Sequence, residues 1–322
     1  MAVYTHLGAE ELAALIAHYP VGPLVSAKGI AEGVSNSNWL IETGGEDGEG
    51  ARFVLTMYER RIELEDLPYF LGLLDHLSAK DCPVPRTIHD EDGAAFRMLD
   101  GKAVALIEFL PGVSPAKPEP AQAFAVGETL ARIHEASADF SLSRKNTMSF
   151  ARNLASLEAC GTKNLASIHH DLPLILKPAR TAATLDLAQL PQAQIHADLF
   201  PDNVLLLGNQ VTGLIDFYFA CSGAMALDLA VTHTAWCFDE NDNYLPSLGD
   251  ALLKGYQSTR QLTDEERAML PHIAKGAAIR FIASRAEDWL DTPDDALVTR
   301  KDPMQFVARW HFYNGHAASI FA

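Results

Sequence analysis

The stretch IHADLFPDNVLLLGNQVTGLIDFYF, residues 195–219, sets His196, Asp198, Asn203 and Asp216 among Ile, Leu, Val and Phe. An unpaired charge in such a frame is costly, so each of these groups needs a partner. A carboxylate beside an alcohol can orient the hydroxyl and take its proton. A carboxamide oxygen and a second carboxylate are hard donors that suit Mg²⁺. The plain alternative is a buried polar network in a turn between two strands.

The spacing separates these readings. HxDxxxxN places Asn203 five positions after Asp198, and Asp216 follows thirteen residues later at the end of an apolar hairpin. This is the interval used for phosphoryl transfer from a nucleotide, where a loop Asp handles the acceptor and an Asn and a later Asp bind the metal. The site therefore predicts Asp198 as base, Asn203 and Asp216 as metal ligands, and ATP with Mg²⁺ as cofactors. His196 either joins the catalysis or braces the loop by hydrogen bonding. The runs NVLLL and VTGLID would be paired strands that hold these groups in place.

The elements that must position them fall into two sets. Near the start, Leu12, Leu15, Ile16 and Tyr19 follow helical spacing up to Pro20. The segments VSAKGIAEGV, SNWLIET and ARFVLTMYE read as strands, and GGEDGEG makes an exposed turn between the last two. A helix is predicted over about 63–79, then strands in VPRTIHD, AAFRMLDG and AVALIEFL. SPAKPEP, residues 114–120, is the best linker in the chain. Beyond it, helices are predicted at roughly 121–140, 147–159, 167–186, 224–237, 246–258, 264–290 and 303–319, interrupted by the polar loop region alone. The expected organisation is α+β and bilobal: residues 1–112 as a small antiparallel sheet lobe with one inserted helix, and residues 113–322 as a larger, mainly helical lobe.

Composition narrows the classes. With 25 Lys and Arg against 42 Asp and Glu, the net charge of −17 argues against a general nucleic-acid surface. No apolar run reaches transmembrane length, and the N-terminus reads as an amphipathic helix and not as a signal, so cytoplasmic residence is expected. The scattered Cys82, Cys160, Cys221 and Cys237 form no CxxC pair and suit a reducing compartment. His169-His170 and the late HFYNGH look too isolated for a metal site, and Trp39, Trp236, Trp289 and Trp310 read as core anchors.

The motif resembles that of the aminoglycoside phosphotransferase and choline kinase superfamily, relatives of the protein kinases. Within it the chain is similar to the bacterial homoserine kinases built on this fold. The pieces are EGVSNSNWLIET, FVLTMYE with EDLPYFLGLLDHL, VALIEFLPG, IHADLFPDN, LIDFYFACSG with DLA, and RFIASRAEDWL, in family order over nearly the whole chain. The resemblance implies a protein-kinase-like fold with Mg-ATP between the two lobes and L-homoserine as the small-molecule acceptor. It implies that Gly33, Val34, Ser35, Asn36, Ser37 and Asn38 lie over the ATP phosphates. It implies that Glu108, Phe109 and Leu110 form the hinge that meets adenine, and that Asp228 orients the catalytic loop. Read alone, the first segment is equally a β-turn and the second an ordinary strand end.

The chain departs from the wider pattern at Thr56, where many members carry a phosphate-gripping lysine; this threonine is shared by the homoserine kinases. Glu63 and Glu65, lacking that lysine, read as surface residues, and Lys28 as a solvated strand residue. Homoserine carries a carboxylate, and a bidentate arginine suits it. Arg280 and Arg285, on an otherwise apolar helix, are the candidates, and Arg280 is the better one because Asp288 is within helical pairing reach of Arg285. Other acceptors stay open (an aminoglycoside, a choline-like alcohol, hydroxylysine or a sugar), as does a silent nucleotide-binding pseudokinase. The oligomeric state is not legible.

Overall fold

The computed structural model describes residues 7–30, 36–45, 50–59, 62–293 and 300–322. The chain divides into two compact units. The first runs to Gly112 and includes Thr212–Tyr218; the second comprises Val113–Val211 and Phe219–Ala322.

The first unit holds α1 (Ala9–Ile16), β1 (Leu24–Ile30), β2 (Asn36–Thr43), β3 (Ala51–Tyr58), α2 (Leu67–Ser78), β4 (Thr87–Ile88), β5 (Arg97–Leu99) and β6 (Lys102–Glu108). The strands form one antiparallel sheet in the order β1-β2-β3-β6-β4, with β5 also on β6. Period-two alternation sorts β6 between the two faces of that sheet. Val104 and Leu106 join Trp39, Ile41, Leu55 and the apolar stripe of α1. Ala103, Ala105 and Ile107 face the other way, onto Leu67 and Leu71 of α2. The strands expected in VPRTIHD and AAFRMLDG shrink to two and three residues. Pro83 and Pro85 lack ladder donors, which shortens the first.

The second unit continues with α3 (Pro120–Ala136), α4 (Phe150–Cys160), α5 (Thr162–Ile168), α6 (Leu176–Ala182), β7 (Gln192–Ile195) and β8 (Val204–Leu207). Then come β9 (Gln210–Leu214), which passes into the first unit at Thr212, and β10 (Cys221–Ala224), α7 (Met225–Trp236), α8 (Pro246–Thr259), α9 (Asp264–Asp291) and α10 (Met304–Ile320) of the second. The helix expected over 167–186 is instead a short 3-10 turn at Leu172–Ile175 followed by α6. Pro173 and Pro178 fit only the first turns of helices, so one continuous helix is not available there. Trp39 and Trp236 are core residues. Trp289 and Trp310 are half-buried instead, and Arg300 lies over the Trp289 ring.

Two elements of this unit set up the functional loop. Every residue of α7 is buried, Asp228 and His233 included. A helix that is apolar all round belongs in a core, and its polar members must bond within it. Thr232 and Thr234 donate to the carbonyls of Asp228 and Ala230, one turn back. The 28-residue α9 opens with a capping box, in which Thr263 accepts from the Glu266 N–H and Glu266 accepts from the Thr263 N–H. It carries Pro271 internally and buries Arg280 further along.

Candidate active site

β7 pairs with β10, Ile195 lying opposite Cys221, and the chain leaves β7 directly into His196-Ala197-Asp198. The turn requires Ala197 at φ 64°, a left-handed conformation that costs of order 1 kcal/mol in a residue with a Cβ. Something must hold it. Asp228, in the first turn of α7, accepts from the N–H of His196 and the N–H of Ala197, both at 2.7 Å. From the opposite side Arg280 donates to the Ala197 carbonyl. The Leu199 carbonyl accepts from the Trp236 indole at 3.0 Å.

Asp228 is fully buried and also receives His134 Nε2 at 3.0 Å. Burial pushes its carboxyl pKa up. The hydrogen bond from His134, with the N–H of His196, outweighs burial and holds it below the ordinary 3.8. Its place at a helix N-terminus favours the same ionised state.

Asp198 sits at the tip of the loop, partly exposed. Burial raises its pKa above the ordinary 3.8, and the nearby Arg280 opposes that rise. Arg280 Nη2 lies 3.4 Å from Asp198 Oδ1. Its guanidinium stacks over the rings of Phe281, at 4.8 Å, and Phe219, at 5.4 Å. His196 is buried, and its Nδ1 accepts from the Asp198 N–H at 3.2 Å, which braces the turn. Asn203 donates its amide to the Asp198 carbonyl at 2.8 Å. That bond fixes the carboxamide by its nitrogen and leaves Oδ1 as the donor end, as a hard cation requires. Within the second unit, Asp228 of α7 and Arg280 of α9 therefore meet the loop that carries His196, Asp198 and Asn203.

Arg285, one turn further along α9, does not join them directly. Its Nη1 donates to the Asp302 carbonyl and to Gln305 Oε1, and the guanidinium covers the Phe306 ring at 4.5 Å. Burial lowers its pKa to about 10, assisted by the charge of Arg309.

The remaining expected residues belong to the first unit. Asp216 is exposed at φ 65°, just beyond β9, and its charge helps raise the pKa of the Tyr58 and Tyr218 hydroxyls, which burial already pushes up. Gly33, Val34 and Ser35 lie outside the described residues. Asn36, Ser37 and Asn38 open β2. Asn36 is buried, with Oδ1 unbonded. Ser37 donates to Glu59 Oε1 at 2.6 Å, and Lys102 pairs with the other oxygen of that carboxylate. Thr56 stands opposite Asn38 and donates to its side-chain oxygen at 2.8 Å. At the end of β6, Glu108 donates its N–H to the Arg86 carbonyl at 3.0 Å. Phe109 and Leu110 are half-buried, and among the described residues no hydrogen bond engages their backbone. Glu63, Glu65 and Lys28 are exposed.

Sequence reasoning missed His134, whose only signal was a lone histidine on the buried face of α3, and missed the Glu59–Lys102 pair. It also set His169 and His170 aside without Asp171, which brings a third ligand atom within 4.8 Å in that mostly exposed turn.

Comparison with known proteins places the chain in a family. The model of the phosphotransferase enzyme family matches residues 26–262. The chain belongs to this family. Members 44% identical to it include the homoserine kinases of Granulibacter bethesdensis, aligned over 97% of both chains, and Gluconobacter oxydans, over 96% of this chain and 97% of the relative. The family fold recurs at low identity. An amicoumacin kinase solved with AMP-PNP is 14% identical with a TM-score of 0.70, covering 96% of this chain and 94% of its own. A choline kinase from Cryptosporidium parvum is 13% identical with a TM-score of 0.67, covering 97% and 96%. Among the described residues no helix is long and apolar enough to cross a membrane.

Proposed function

We propose that this phosphotransferase moves the γ-phosphoryl group of ATP to the side-chain hydroxyl of L-homoserine, in the cytoplasm. The observation that carries the reading is Asp198, a carboxylate of raised pKa held at the tip of a rigid loop, in a chain 44% identical to homoserine kinases over nearly its full length. The homoserine hydroxyl oxygen forms a bond to the γ-phosphorus as the bond from that phosphorus to the β–γ bridging oxygen breaks, and ADP leaves. The hydroxyl proton passes to Asp198, whose carboxylate burial makes a better proton acceptor than an ordinary one. Positioning and electrostatics supply most of the rate in such transfers.

The carboxamide oxygen of Asn203 and the carboxylate of Asp216 fit Mg²⁺ by donor chemistry and would hold it. When bound, the ion neutralises charge on the phosphate oxygens. Asn36, Ser37 and Asn38 would lie by the phosphates, and the backbone of Phe109 and Leu110, next to Glu108, would meet adenine. Arg280 and Arg285 are the candidates for the acceptor's carboxylate. Arg285 fits better, because among the described residues its hydrogen bonds use Nη1 only and leave the rest of the fork for a bidentate partner.

The test is Mg²⁺-dependent ADP release from ATP with L-homoserine, beside choline, L-hydroxylysine and an aminoglycoside. Turnover with homoserine alone is expected. Turnover with another alcohol and none with homoserine would overturn the acceptor and keep the phosphotransferase.

A further inference from the structure

α3 and α8 cross backbone to backbone because two glycines face the crossing. A Cβ on Gly127 would lie 2.2 Å from the Leu252 carbonyl oxygen, and one on Gly255 would lie 2.0 Å from that of Phe124. This approach brings the hydroxyl of Tyr256, on α8, to 2.9 Å from Nδ1 of His134, on α3, with both residues fully buried.

The donors in this contact can be assigned from chemistry. Ionised Asp228 only accepts, so His134 Nε2 carries the proton it donates. Neutral His134 then has a bare Nδ1, and the Tyr256 hydroxyl must donate to it. The phenol oxygen in turn accepts from Arg260 Nη1 at 3.3 Å. Arg260 is fixed by Glu266 Oε2 at 2.9 Å, the same carboxylate that caps α9. A doubly protonated His134 would donate to the phenol oxygen, as Arg260 does, and among the described residues no other hydrogen bond of Tyr256 would take up the buried phenol hydrogen. Every donor from Arg260 through Tyr256 to His134 thus points at Asp228, which meets the loop N–H groups from the other side. Bonds aligned in one direction polarise and strengthen each other in a low-dielectric interior.

We propose that Tyr256 is a positioning residue for phosphoryl transfer. It locks His134 as the Nε2–H tautomer, and so keeps the Asp228 carboxylate aimed at His196 and Ala197 and Asp198 in its working attitude. The proposal rests on Asp198 as the base, and it reaches that residue only through His134 and Asp228.

Tyr256→Phe keeps the ring and deletes the donor. The expected result is a kcat about tenfold lower, with KM for ATP and for the acceptor within about twofold of wild type. A residue that served packing alone would move stability and spare this split. The second arm is the ¹⁵N spectrum of His134 in the protein without substrates, so a wrong acceptor assignment leaves it intact. Wild type should show protonated Nε2 and bare Nδ1, and Tyr256→Phe should shift the Nδ1 resonance or mix the tautomers. An unchanged kcat in Tyr256→Phe, or a wild-type His134 with its proton on Nδ1, overturns the assignment.

Discussion

The tip of the His196–Asn203 loop and the helix at its root each present a carboxylate, and the fold treats the two in opposite ways. Asp198, at the tip, is partly exposed, has a single arginine nitrogen at 3.4 Å, and has its pKa raised by burial. Asp228, at the root, is fully buried and has its pKa lowered, because His134 and two loop N–H groups outweigh the cost of burial. Residue type does not decide the role; the number of donors does. A carboxylate saturated with donors is a structural anion, and one left under-bonded keeps its affinity for a proton. The same loop needs both, since an under-bonded base is useful only where its backbone is fixed.

One substitution made at both positions breaks or sharpens this contrast. Asp198→Asn removes the proton acceptor and nearly nothing from the frame. Expected is a kcat about 10³-fold lower, with KM for ATP little changed. The sign for stability follows from the raised pKa. The folded protein holds this proton more tightly than the unfolded chain, so Asp198 loses its stabilising contribution as pH rises above 3.8 through the folded value. At neutral pH the ionised form is a cost, and the urea midpoint of Asp198→Asn should equal or exceed that of wild type. A clearly lower midpoint would mean that Asp198 helps hold the loop after all.

Asp228→Asn reverses the pattern. An amide has one acceptor oxygen, and its NH₂ would face N–H donors in a fully buried site. The expected loss is about 3 kcal/mol at pH 7, with activity falling in step. Here the folded pKa is depressed. The contribution is therefore complete above 3.8 and lost as pH falls below it through the folded value. Urea midpoints of wild type and variant should differ by a constant amount from pH 8 to pH 5 and converge only below about pH 4. Convergence already at pH 6 would place the titration on a group other than Asp228.

These particulars show what sequence carries and what it does not. His196, Asp198 and Asn203 were legible because their chemistry needs fixed spacing along one strand–turn segment. Asp228 was found through resemblance, since its 32-residue separation from the loop is invisible to any local pattern. The partnership of His134 and Tyr256 spans 122 residues and depends on glycines at a helix crossing, and no periodicity announces that. The two faces of β6 followed from alternation. The break in the helix expected over 167–186 lay in Pro173 and Pro178, where a helical apolar pattern concealed what the backbone could not do.

Trp236 makes the finest test, because it touches the loop between root and tip. Its indole N–H satisfies the carbonyl of Leu199, one residue past Asp198, and both residues are buried. Trp236→Phe keeps an aromatic anchor but leaves that carbonyl without a donor, at a cost of about 1–3 kcal/mol together with a small void. The N–H donors that meet Asp228 lie upstream of the lesion and stay in place. The loop should therefore keep its root, and Asp198 should shift only slightly. Expected are a lowered urea midpoint and a kcat within about threefold of wild type. A kcat loss as large as that of Asp198→Asn would show that the attitude of the base is set from the Leu199 side, and that Asp228 anchors the loop without aiming it.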